Sequence, residues 1–583
     1  MKVYVVLNDQ ECRDFLKQVQ PDDVVVGRVK PSCECRFINV LGAEVNHAEL
    51  ADKFRNLIQK QNEPFQSIIN NYINVLYQSS VEPLFQYLAA LKDAEKFGNT
   101  TDVILQSAQR KLATSTFYMA EHESQGYRWY ERGAVLGYYI FQYCKVMGLR
   151  VSIAKQSSLF KLRLYGFLRI YPVLLIKFCI SFVNLILYSP FFKNRPVKSD
   201  VVVTTRAVSQ SKFFLPYLKH SNLSASLLVG ESTVDFGNNQ RWLASQSRES
   251  VGLGDNCIYS RRSIFVLVRY SLLTLARLFL YRESSKLEFQ GVTLNLHSAF
   301  REALVLSPEL LTYSHSIEAQ VRRIVTKSGS ILKAIITSEQ KSPHAVIDAA
   351  VAKKHGLKCI QFMSCDQEYC FIPLPIAGDY FLCDTDYSRR KFLEIFPSEN
   401  FIYVGTLKGL SIQSSTKQKK LICYYTNPKN TDINCAVIEV LLNVLSNNGT
   451  EFVVKLHPRD HLSRYKKFKN VIFLEHGNPR SDRLLDEVSL AITGNSGIVM
   501  DLLNNRVCYL LLRLKPEDHI ELPYVDTEYK NVCFEISEIP QKLTELDKTF
   551  EEFDKFLKRF QDRNNIIVDV DKINERMERL LSS

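Results

Sequence analysis

Short apolar runs alternate along the chain with segments in which apolar residues recur every three or four positions. Apolar runs bounded by polar or turn-forming residues predict buried strands, and the three- to four-residue spacing predicts helices. The predicted strands are 2–7, 23–26, 101–105, 150–153, 200–204, 225–229, 334–337, 358–362, 379–383, 401–404, 421–425, 452–456, 471–474, 490–493 and 507–512. This alternation is typical of an α/β protein.

The helical segments and one polar stretch divide the chain into domains. The predicted helices are 11–18, 129–147, 211–218, 344–355, 387–395, 432–445, 498–504 and 545–560. Helical spacing over 45–96 predicts a helix-rich insertion in the N-terminal domain. Residues 405–420 are small and polar, which predicts a linker between a first domain, 1–404, and a second domain, 421–583.

Two apolar stretches, 161–198 and 261–282, depart from the alternation. The first carries basic and aromatic residues at both ends and is nearly as long as a membrane span. Three interpretations are open for it: a helix in or re-entering a membrane surface, a buried core helix, or a true span. The second has arginines at 269 and 277 within an apolar segment, the composition of a basic amphipathic surface helix. Together they predict peripheral attachment to a membrane.

Composition and charge narrow the possible partners and the compartment. The chain has 583 residues, 46% hydrophobic and 23% charged, with a formal net charge of +12. Its basic residues lie beside apolar stretches rather than between aromatic residues, which favours an anionic membrane surface over nucleic acid. The 14 cysteines lack zinc spacing, and the first residues lack a signal-peptide pattern. These features predict a cytoplasmic protein, peripheral on the inner face of the cytoplasmic membrane.

Two strand ends in the second domain carry the candidate chemistry. The strand 452–456 ends at His457 and Pro458, and the strand 490–493 runs into a turn at 494–497 before a predicted helix. Ligands of parallel α/β sheets bind at the carboxyl ends of strands. A histidine on one exit, with hydroxyls and backbone amides on the other, suits a nucleotide phosphate.

Four segments resemble glycosyltransferases of the GT-B fold. They are IITSEQKSPHAVIDAAVAKKHGLKCIQF (335–362), GDYFLCDTDYSRRKFLEIFPSENFIYVGT (378–406), KLHPRD (455–460) and TGNSG (493–497). The last two are similar to the His-Pro motif and phosphate loop of bacterial sialyltransferases, polysialyltransferases, capsule Kdo transferases and teichoic-acid glycerophosphotransferases. The resemblance covers about residues 200 to 583 and implies two Rossmann-like domains facing across a cleft. The chain departs from the pattern at Gln361–Ser364, where many relatives have Gln-His-Gly, and in its hydroxyls, which are spread over Thr493 and Ser496.

The resemblance assigns the second domain to the donor. His457 is expected to hydrogen-bond the donor phosphate as it leaves, although it could instead satisfy a loop carbonyl. The turn is expected to cradle the same phosphate, although Asn495 or Ser496 could simply cap the following helix. The residues assigned to the donor phosphate or nucleotide are Lys455, Pro458, Arg459, Thr493, Gly494, Asn495, Ser496, Gly497, Thr426, Asn427 and Glu475.

The first domain is expected to hold the acceptor and a general base. Glu339 lies where sialyltransferase-like families place an acidic residue, and Asp366 and Glu368 are its rivals; Glu339 could instead only cap a turn before Pro343. Asp384-Thr385-Asp386 matches an Asp-x-Asp metal signature but directly precedes a predicted helix, so capping is the favoured interpretation and no metal or other cofactor is expected. The acceptor residues are expected to be Thr205, Arg206, Ser209 and Gln210.

The resulting hypothesis is a metal-independent glycosyltransferase. Its donor is expected to be a CMP-activated acidic sugar such as sialic acid or Kdo, and its acceptor a surface polysaccharide or lipid-linked glycan. Transfer from a UDP- or GDP-sugar, or of glycerophosphate from CDP-glycerol, is the alternative within the same class. A nucleotide-sugar epimerase or a non-catalytic binding protein is the alternative from another class.

Overall fold

A computed structural model gives the fold, and it describes the following parts of the chain: residues 1–7, 15–27, 34–40, 82–98, 102–108, 134–156, 159–188, 198–205, 217, 221, 223–229, 254–280, 286–289, 292–295, 304, 307–337, 343–362, 376–383, 385–405, 421–427, 431–445, 451–457, 460–475, 478–494, 496, 498–514, 529–564 and 570–582.

The first part of the chain forms a parallel sheet of its own. Its elements are β1 (Lys2–Val5), β2 (Val24–Gly27), β3 (Arg36–Asn39), α1 (Glu82–Ala94), β4 (Asp102–Ala108), α2 (Ala134–Val146) and β5 (Arg150–Gln156). The strand order is β3-β2-β1-β4-β5. Gly137 lets α2 approach β4, because a Cβ there would lie 2.1 Å from the carbonyl oxygen of Ser107.

Three long helices and a hairpin follow. They are α3 (Leu159–Tyr188), α4 (Arg261–Leu280), the strands β9 (Lys286–Phe289) and β10 (Val292–Asn295), and α5 (Ser307–Ser328). The helix α4 packs on both α3 and α5. Among the helices in the described residues, none combines the length and the apolar character needed to cross a membrane.

The middle part of the chain forms a seven-stranded parallel sheet, whose strands come before and after α4 and α5 in sequence. Its elements are β6 (Val201–Thr205), β7 (Ala225–Val229), β8 (Gly254–Cys257), β11 (Ala334–Thr337), α6 (Pro343–Lys354), β12 (Lys358–Phe362), β13 (Tyr380–Leu382), α7 (Asp386–Ile395) and β14 (Phe401–Ile402). The order is β14-β13-β12-β11-β6-β7-β8. All four residues of β11 are buried, as expected for a central strand covered on both faces.

A six-stranded parallel sheet forms the last part. Its elements are β15 (Leu421–Tyr425), α8 (Thr431–Leu445), β16 (Glu451–Lys455), β17 (Ile472–Leu474), α9 (Pro479–Glu487), β18 (Val488–Thr493), α10 (Ile498–Asn504), β19 (Cys508–Leu512), β20 (Val532–Cys533), α11 (Ile539–Thr544), α12 (Leu546–Asn564) and α13 (Val570–Ser582). The order is β17-β16-β15-β18-β19-β20. The strand β19 is apolar and buried throughout.

The last helix returns to the middle sheet. Ile573 and Met577 of α13 pack with residues of β6, β11 and β12 in one buried cluster. The Lys358 ammonium donates to the carbonyl oxygen of Leu580 at 2.9 Å. The helix α13, which follows the last strand of the six-stranded sheet in sequence, therefore packs on the seven-stranded sheet.

The α/β class and the two Rossmann-like sheets are confirmed, with a further parallel sheet at 2–156 before them. The cleft between the two remains a prediction. The prediction that 545–560 forms a helix is confirmed, and Phe553 and Phe560 of this helix are buried in the core of the six-stranded unit. Five strands, β3, β8, β9, β10 and β20, and four helices, α5, α9, α11 and α13, were not predicted from the sequence. The strand β8 reads Gly-Asp-Asn-Cys, which carries no apolar pattern, and β3 is an edge strand with only partly buried residues.

Candidate functional site

The six-stranded sheet reverses its strand order between β15 and β18. From β15 the chain adds β16 and β17 on one side, and then returns to add β18, β19 and β20 on the other. Loops that leave neighbouring strands in opposite directions open a crevice at the carboxyl edge, and ligands of such sheets bind there. Tyr425, the last residue of β15, is level with Lys455 of β16 and Thr493 of β18. The residues that follow these three strands therefore meet at one edge.

His457 leaves β16 in a turn that hydrogen bonds fix from two sides. Its backbone N–H donates to the hydroxyl oxygen of Thr426, at the end of β15, at 3.0 Å. The N–H of Asp460 donates to the carbonyl oxygen of His457 at 2.8 Å, which closes a four-residue turn. The His457 side chain is partly exposed. The sheet therefore holds the backbone of His457 and leaves its imidazole at the edge.

The carboxylate of Asp460 lies under this turn with no exposed side-chain surface. One carboxylate oxygen accepts from the Thr426 hydroxyl at 2.9 Å and the Tyr465 hydroxyl at 2.6 Å. The other accepts from the His461 N–H at 2.9 Å and from the Arg464 guanidinium at 3.3 Å. A buried carboxylate is stable only when such donors replace its water. Four donors from two chain segments, Thr426 and residues 461–465, therefore make Asp460 the centre that fixes the turn.

A second buried residue, Asn434 of α8, extends the network to the loop after β15. Its amide nitrogen donates to the Tyr465 hydroxyl at 2.7 Å and to the Asn427 carbonyl at 2.8 Å. Its amide oxygen accepts from the Tyr424 hydroxyl at 2.8 Å and the Asn427 N–H at 3.2 Å. Burial raises the pKa of Tyr465, and the hydrogen bond to the Asp460 carboxylate raises it further, so the phenol stays a donor. The loops after β15 and β16 are thus one hydrogen-bonded unit.

The exit of β18 is the other side of the crevice. Thr493 is buried, and its hydroxyl donates to the Gly494 carbonyl at 3.2 Å. The carbonyl oxygen of Ser496 accepts from the N–H of Val499 at 3.1 Å, which begins α10. Neighbouring strands lie about 5 Å apart, so this turn and the His457 turn are separated by roughly 10 Å across β15. That spacing fits a phosphate or diphosphate lying between the two turns.

The other predicted donor residues divide into three groups. The Lys455 ammonium donates to the Glu475 carbonyl at 3.0 Å, so both lie together at the β16–β17 edge. The Thr426 hydroxyl and the Asn427 backbone already serve the network, and the donor contact assigned to these two residues stays a prediction. Outside the described residues lie Pro458, Arg459, Asn495 and Gly497.

The seven-stranded sheet has its own switch point, between β6 and β11. Thr204, near the end of β6, donates its hydroxyl to the Asp348 carboxylate of α6 at 2.6 Å. The Tyr313 hydroxyl of α5 donates to the other carboxylate oxygen at 2.9 Å. Thr205, a predicted acceptor residue, ends β6 at this edge. The remaining predicted residues of this domain lie outside the described part of the chain: Arg206, Ser209, Gln210, Glu339, Asp366 and Glu368.

Two motifs of the first domain have structural roles. The side-chain oxygen of Gln361, fully buried, accepts from the N–H groups of Ala377 and Gly378 at 2.8 and 2.9 Å, and so fixes the loop before β13. Thr385 is the N-cap of α7, as the capping interpretation predicted, and accepts from the Ser388 N–H. Asp386 pairs with Arg389 at 2.7 Å. No group of three or more His, Cys, Asp or Glu residues in the described part of the chain could hold a metal ion, and the absence of a cofactor stays a prediction.

The residues that hold the site together have no role in the assignments made from the sequence. Asp460 lies inside the KLHPRD segment, Asn434 lies inside the predicted helix 432–445, and Tyr465 lies in no predicted element. One signal was available: polar Asn434 interrupts the apolar face of α8, whose neighbours at Val437, Ile438 and Leu441 are buried. A polar residue on a buried helix face must find hydrogen-bond partners.

Comparisons with known proteins give structural matches only. No family model and no curated protein sequence matches the chain. A UDP-GlcNAc 2-epimerase from Neisseria meningitidis bound to UDP-GlcNAc matches with a TM-score of 0.38 at 13% identity, over 66% of this chain and 99% of that one. S. aureus TarM in complex with UDP matches with a TM-score of 0.41 at 11% identity, over 66% and 99%.

The wall teichoic acid polymerase TagF matches with a TM-score of 0.35 at 13% identity, over 72% of this chain and 97% of that chain. These TM-scores are all below 0.5, so the activities of these three proteins carry no argument about this chain. The fold is therefore assigned from the strand orders of this chain alone. Its function is inferred from the groups at the carboxyl edge of β15, β16 and β18.

Proposed function

We propose that the chain is a GT-B-type glycosyltransferase that binds the phosphate of a nucleotide-activated sugar at the β15/β18 switch point. The observation that carries the proposal is the buried Asp460 network, which holds the His457 turn at the ligand-binding edge of the sheet. Packing of the sheet does not require a buried carboxylate with four donors at this place. A catalytic site does require a loop fixed before substrate binds, because preorganised donors cost no reorganisation during the reaction.

The proposed reaction transfers a sugar to an acceptor hydroxyl. The hydroxyl oxygen bonds to the anomeric carbon as the bond between that carbon and the donor phosphate oxygen breaks. The phosphate keeps the electron pair, and the added negative charge is stabilised by the His457 imidazole and by N–H groups of the turn at 493–496. A general base, assigned to Glu339 or its rival Asp366, takes the hydroxyl proton if the anomeric configuration inverts.

The donor and acceptor classes follow from the KLHPRD and TGNSG segments rather than from geometry. We assign the donor as a CMP-activated acidic sugar and the acceptor as a surface-polysaccharide or lipid-linked glycan. The glycines and the hydroxyl residues of the turn can accommodate either a single phosphate or a diphosphate. A UDP- or GDP-sugar, or CDP-glycerol, would place its diphosphate across the same roughly 10 Å between the two turns.

A thermal-shift screen of CMP, CDP, UDP and GDP tests the nucleotide class. A nucleotide that fills a preformed site stabilises the folded protein by an amount that grows with the logarithm of its concentration relative to Kd. The proposal expects one nucleotide, CMP in the first instance, to raise Tm more than the others. The absence of a shift with all four nucleotides would overturn the proposal.

Measuring the release of free nucleotide from the sugar donor distinguishes a glycosyltransferase from an epimerase and from a binding protein. A glycosyltransferase releases nucleotide faster when acceptor is added, whereas an epimerase converts the nucleotide-sugar without any acceptor. A binding protein retains the nucleotide-sugar unchanged. Glycan acceptors prepared from bacterial surface polysaccharide supply the acceptor arm of the assay.

A further inference from the structure

The helices α3 and α4 present a continuous apolar face to solvent, here called the α3–α4 surface. On α3 the exposed side chains recur at helical spacing, so they lie along one side of the helix. They are Leu175, Ile176, Ile180, Val183, Ile186 and Leu187. On α4 the three most exposed are seven residues apart, at Phe265 (77% exposed), Leu272 (65%) and Phe279 (69%), and Leu273 and Leu275 are exposed beside them. More than half of the exposed large apolar side chains in the described residues belong to these two helices.

The opposite sides of both helices are buried, which fixes the orientation of the surface. Leu174 and Leu185 of α3 pack in the core. On α4, the hydroxyl of Ser263 hydrogen-bonds to that of Ser316 at 2.8 Å, and the hydroxyl of Thr274 to that of Ser307 at 2.6 Å. Rotating α4 to hide its apolar side would break both buried hydrogen bonds. The exposed face is therefore built into the fold.

A groove of about 700 Å³ runs between the two helices on this face. Phe182 lines it from α3, and Phe265 and Leu272 line it from α4. Arg269 also contributes to its lining and is exposed. An apolar groove with a guanidinium at its rim matches a molecule that has a long apolar chain and an anionic head.

The charges of the two helices have one sign. Neither α3 nor α4 contains an aspartate or a glutamate. Arg261, Arg262 and Arg269 of α4 are exposed. Pairing two copies of the chain through this face would bring like charges together, whereas anionic lipid headgroups would neutralise them. Charge complementarity therefore selects a lipid surface over a second copy.

We propose that the α3–α4 surface binds an anionic lipid bilayer, with an acyl chain entering the groove and Arg269 meeting the headgroup phosphate. The apolar side chains enter the interface between headgroups and acyl chains, while the arginines stay at headgroup level. This inference rests on α3 and α4, which carry none of the residues assigned to the donor phosphate, and holds whether or not the chain is a glycosyltransferase.

Vesicle flotation tests the proposal directly. The wild-type protein is expected to float with vesicles of phosphatidylcholine mixed with phosphatidylglycerol, and far less with phosphatidylcholine alone or at high salt. The double variant Leu272→Glu/Phe279→Glu is expected to bind the vesicles at least roughly tenfold more weakly than wild type, because two apolar side chains become charged. Ile472→Glu, on the exposed edge strand β17, is the matched control and should bind as wild type.

The arginines are tested separately from the apolar face. Arg261→Gln/Arg262→Gln/Arg269→Gln removes the three exposed arginine charges of α4 and leaves every apolar side chain in place. This variant is expected to lose its preference for phosphatidylglycerol vesicles while keeping the wild-type melting profile. An unchanged preference would remove charge complementarity from the proposal and overturn the choice of an anionic bilayer.

Cys179 reports on the surface without any mutation. It is exposed on the same side of α3 as Leu175 and Val183. Its alkylation by a water-soluble thiol reagent, followed by mass spectrometry, is expected to slow severalfold when phosphatidylglycerol vesicles are added. Alkylation of the partly exposed Cys435 on α8 is the internal control and should be unchanged.

Three outcomes would overturn the proposal. The first is a wild-type protein that does not float with either type of vesicle. The second is a charged double variant that melts like wild type and still binds vesicles. The third is a vesicle-independent dimer that the same variant dissociates, measured by sedimentation velocity, because the face would then be a contact between copies. Nucleotide binding is not measured in any of these experiments, so their failure leaves the proposed enzymatic function untouched.

Discussion

The switch points of the two large sheets use the same device for different purposes. In each sheet a threonine at the carboxyl end of the first strand donates to a buried aspartate: Thr426 to Asp460, and Thr204 to Asp348. Asp460 lies on the loop after the neighbouring strand and fixes that loop. Asp348 lies on helix α6 and, through Tyr313 of α5, fixes two helices to the strand. One carboxylate orders a loop that can touch a ligand, and the other orders the scaffold.

The largest effect is expected for Asp460→Ala. The change leaves the Tyr465 and Thr426 hydroxyls and a backbone N–H without their buried acceptor, which costs about 3 kcal/mol of unfolding free energy. The His457 turn also loses its anchor, so nucleotide affinity should fall by at least roughly tenfold. Urea unfolding and calorimetric titration measure the two effects. Wild-type nucleotide affinity in a folded Asp460→Ala variant would contradict a role for this network in the site.

Asp348→Ala is the matched change in the other sheet. It removes one acceptor from two hydroxyl donors and should cost about 2 kcal/mol of unfolding free energy. Because Asp348 fixes helices rather than the donor loop, nucleotide affinity should stay within about twofold of wild type. A tenfold loss of nucleotide affinity would break the proposed difference between the two sheets.

Tyr465→Phe gives a smaller and more local effect. The phenol bridges Asn434 and Asp460, and its removal leaves three donors to Asp460 in place. We expect a loss of about 1 kcal/mol in unfolding free energy. Nucleotide affinity should fall only a few-fold, between wild type and Asp460→Ala. An effect as large as that of Asp460→Ala would make Tyr465, and not the carboxylate, the centre of the network.

The smallest effect is expected at Glu318 of α5, close to the Asp348 contacts. The hydrogen bond from the Lys354 ammonium, at 2.7 Å, lowers the pKa of this carboxyl, with Arg322 contributing. Because the pKa is lowered by folding, the stabilisation is present above the ordinary pKa and is lost as pH falls through the lowered value. Glu318→Gln should therefore lower the unfolding free energy by about 0.5 kcal/mol at neutral pH, a small value because the partners of Glu318 are exposed. At pH values below the lowered pKa of Glu318 the substitution should have no effect, because the carboxyl is then protonated in the wild type. Urea unfolding at two pH values measures the difference.

Most strands of the two large sheets could be predicted from the sequence because they are apolar runs buried in the sheet, such as 421–425 and 507–512. Strand β8 was missed because it lacks an apolar pattern, and β3 and β20 were missed because they are short edge strands that are only partly buried. The sequence also located His457 and the turn at 493–497, since both follow apolar strands directly. The network could not be predicted, because Thr426 and Asn434 are more than 25 residues away in sequence from Asp460 and Tyr465, and only the folded sheet brings them together.

Calorimetric titration of CMP, CDP, UDP and GDP into the wild-type protein and His457→Ala is the most direct measurement of the proposed phosphate site. The backbone N–H and carbonyl of His457 hold its turn, so the turn should persist in His457→Ala, and urea unfolding checks that this variant is folded. We predict that at least one of these nucleotides binds the wild-type protein and binds His457→Ala roughly tenfold more weakly. Equal binding to both proteins, or binding of none of the four nucleotides to the wild type, would contradict a donor-phosphate site at this edge.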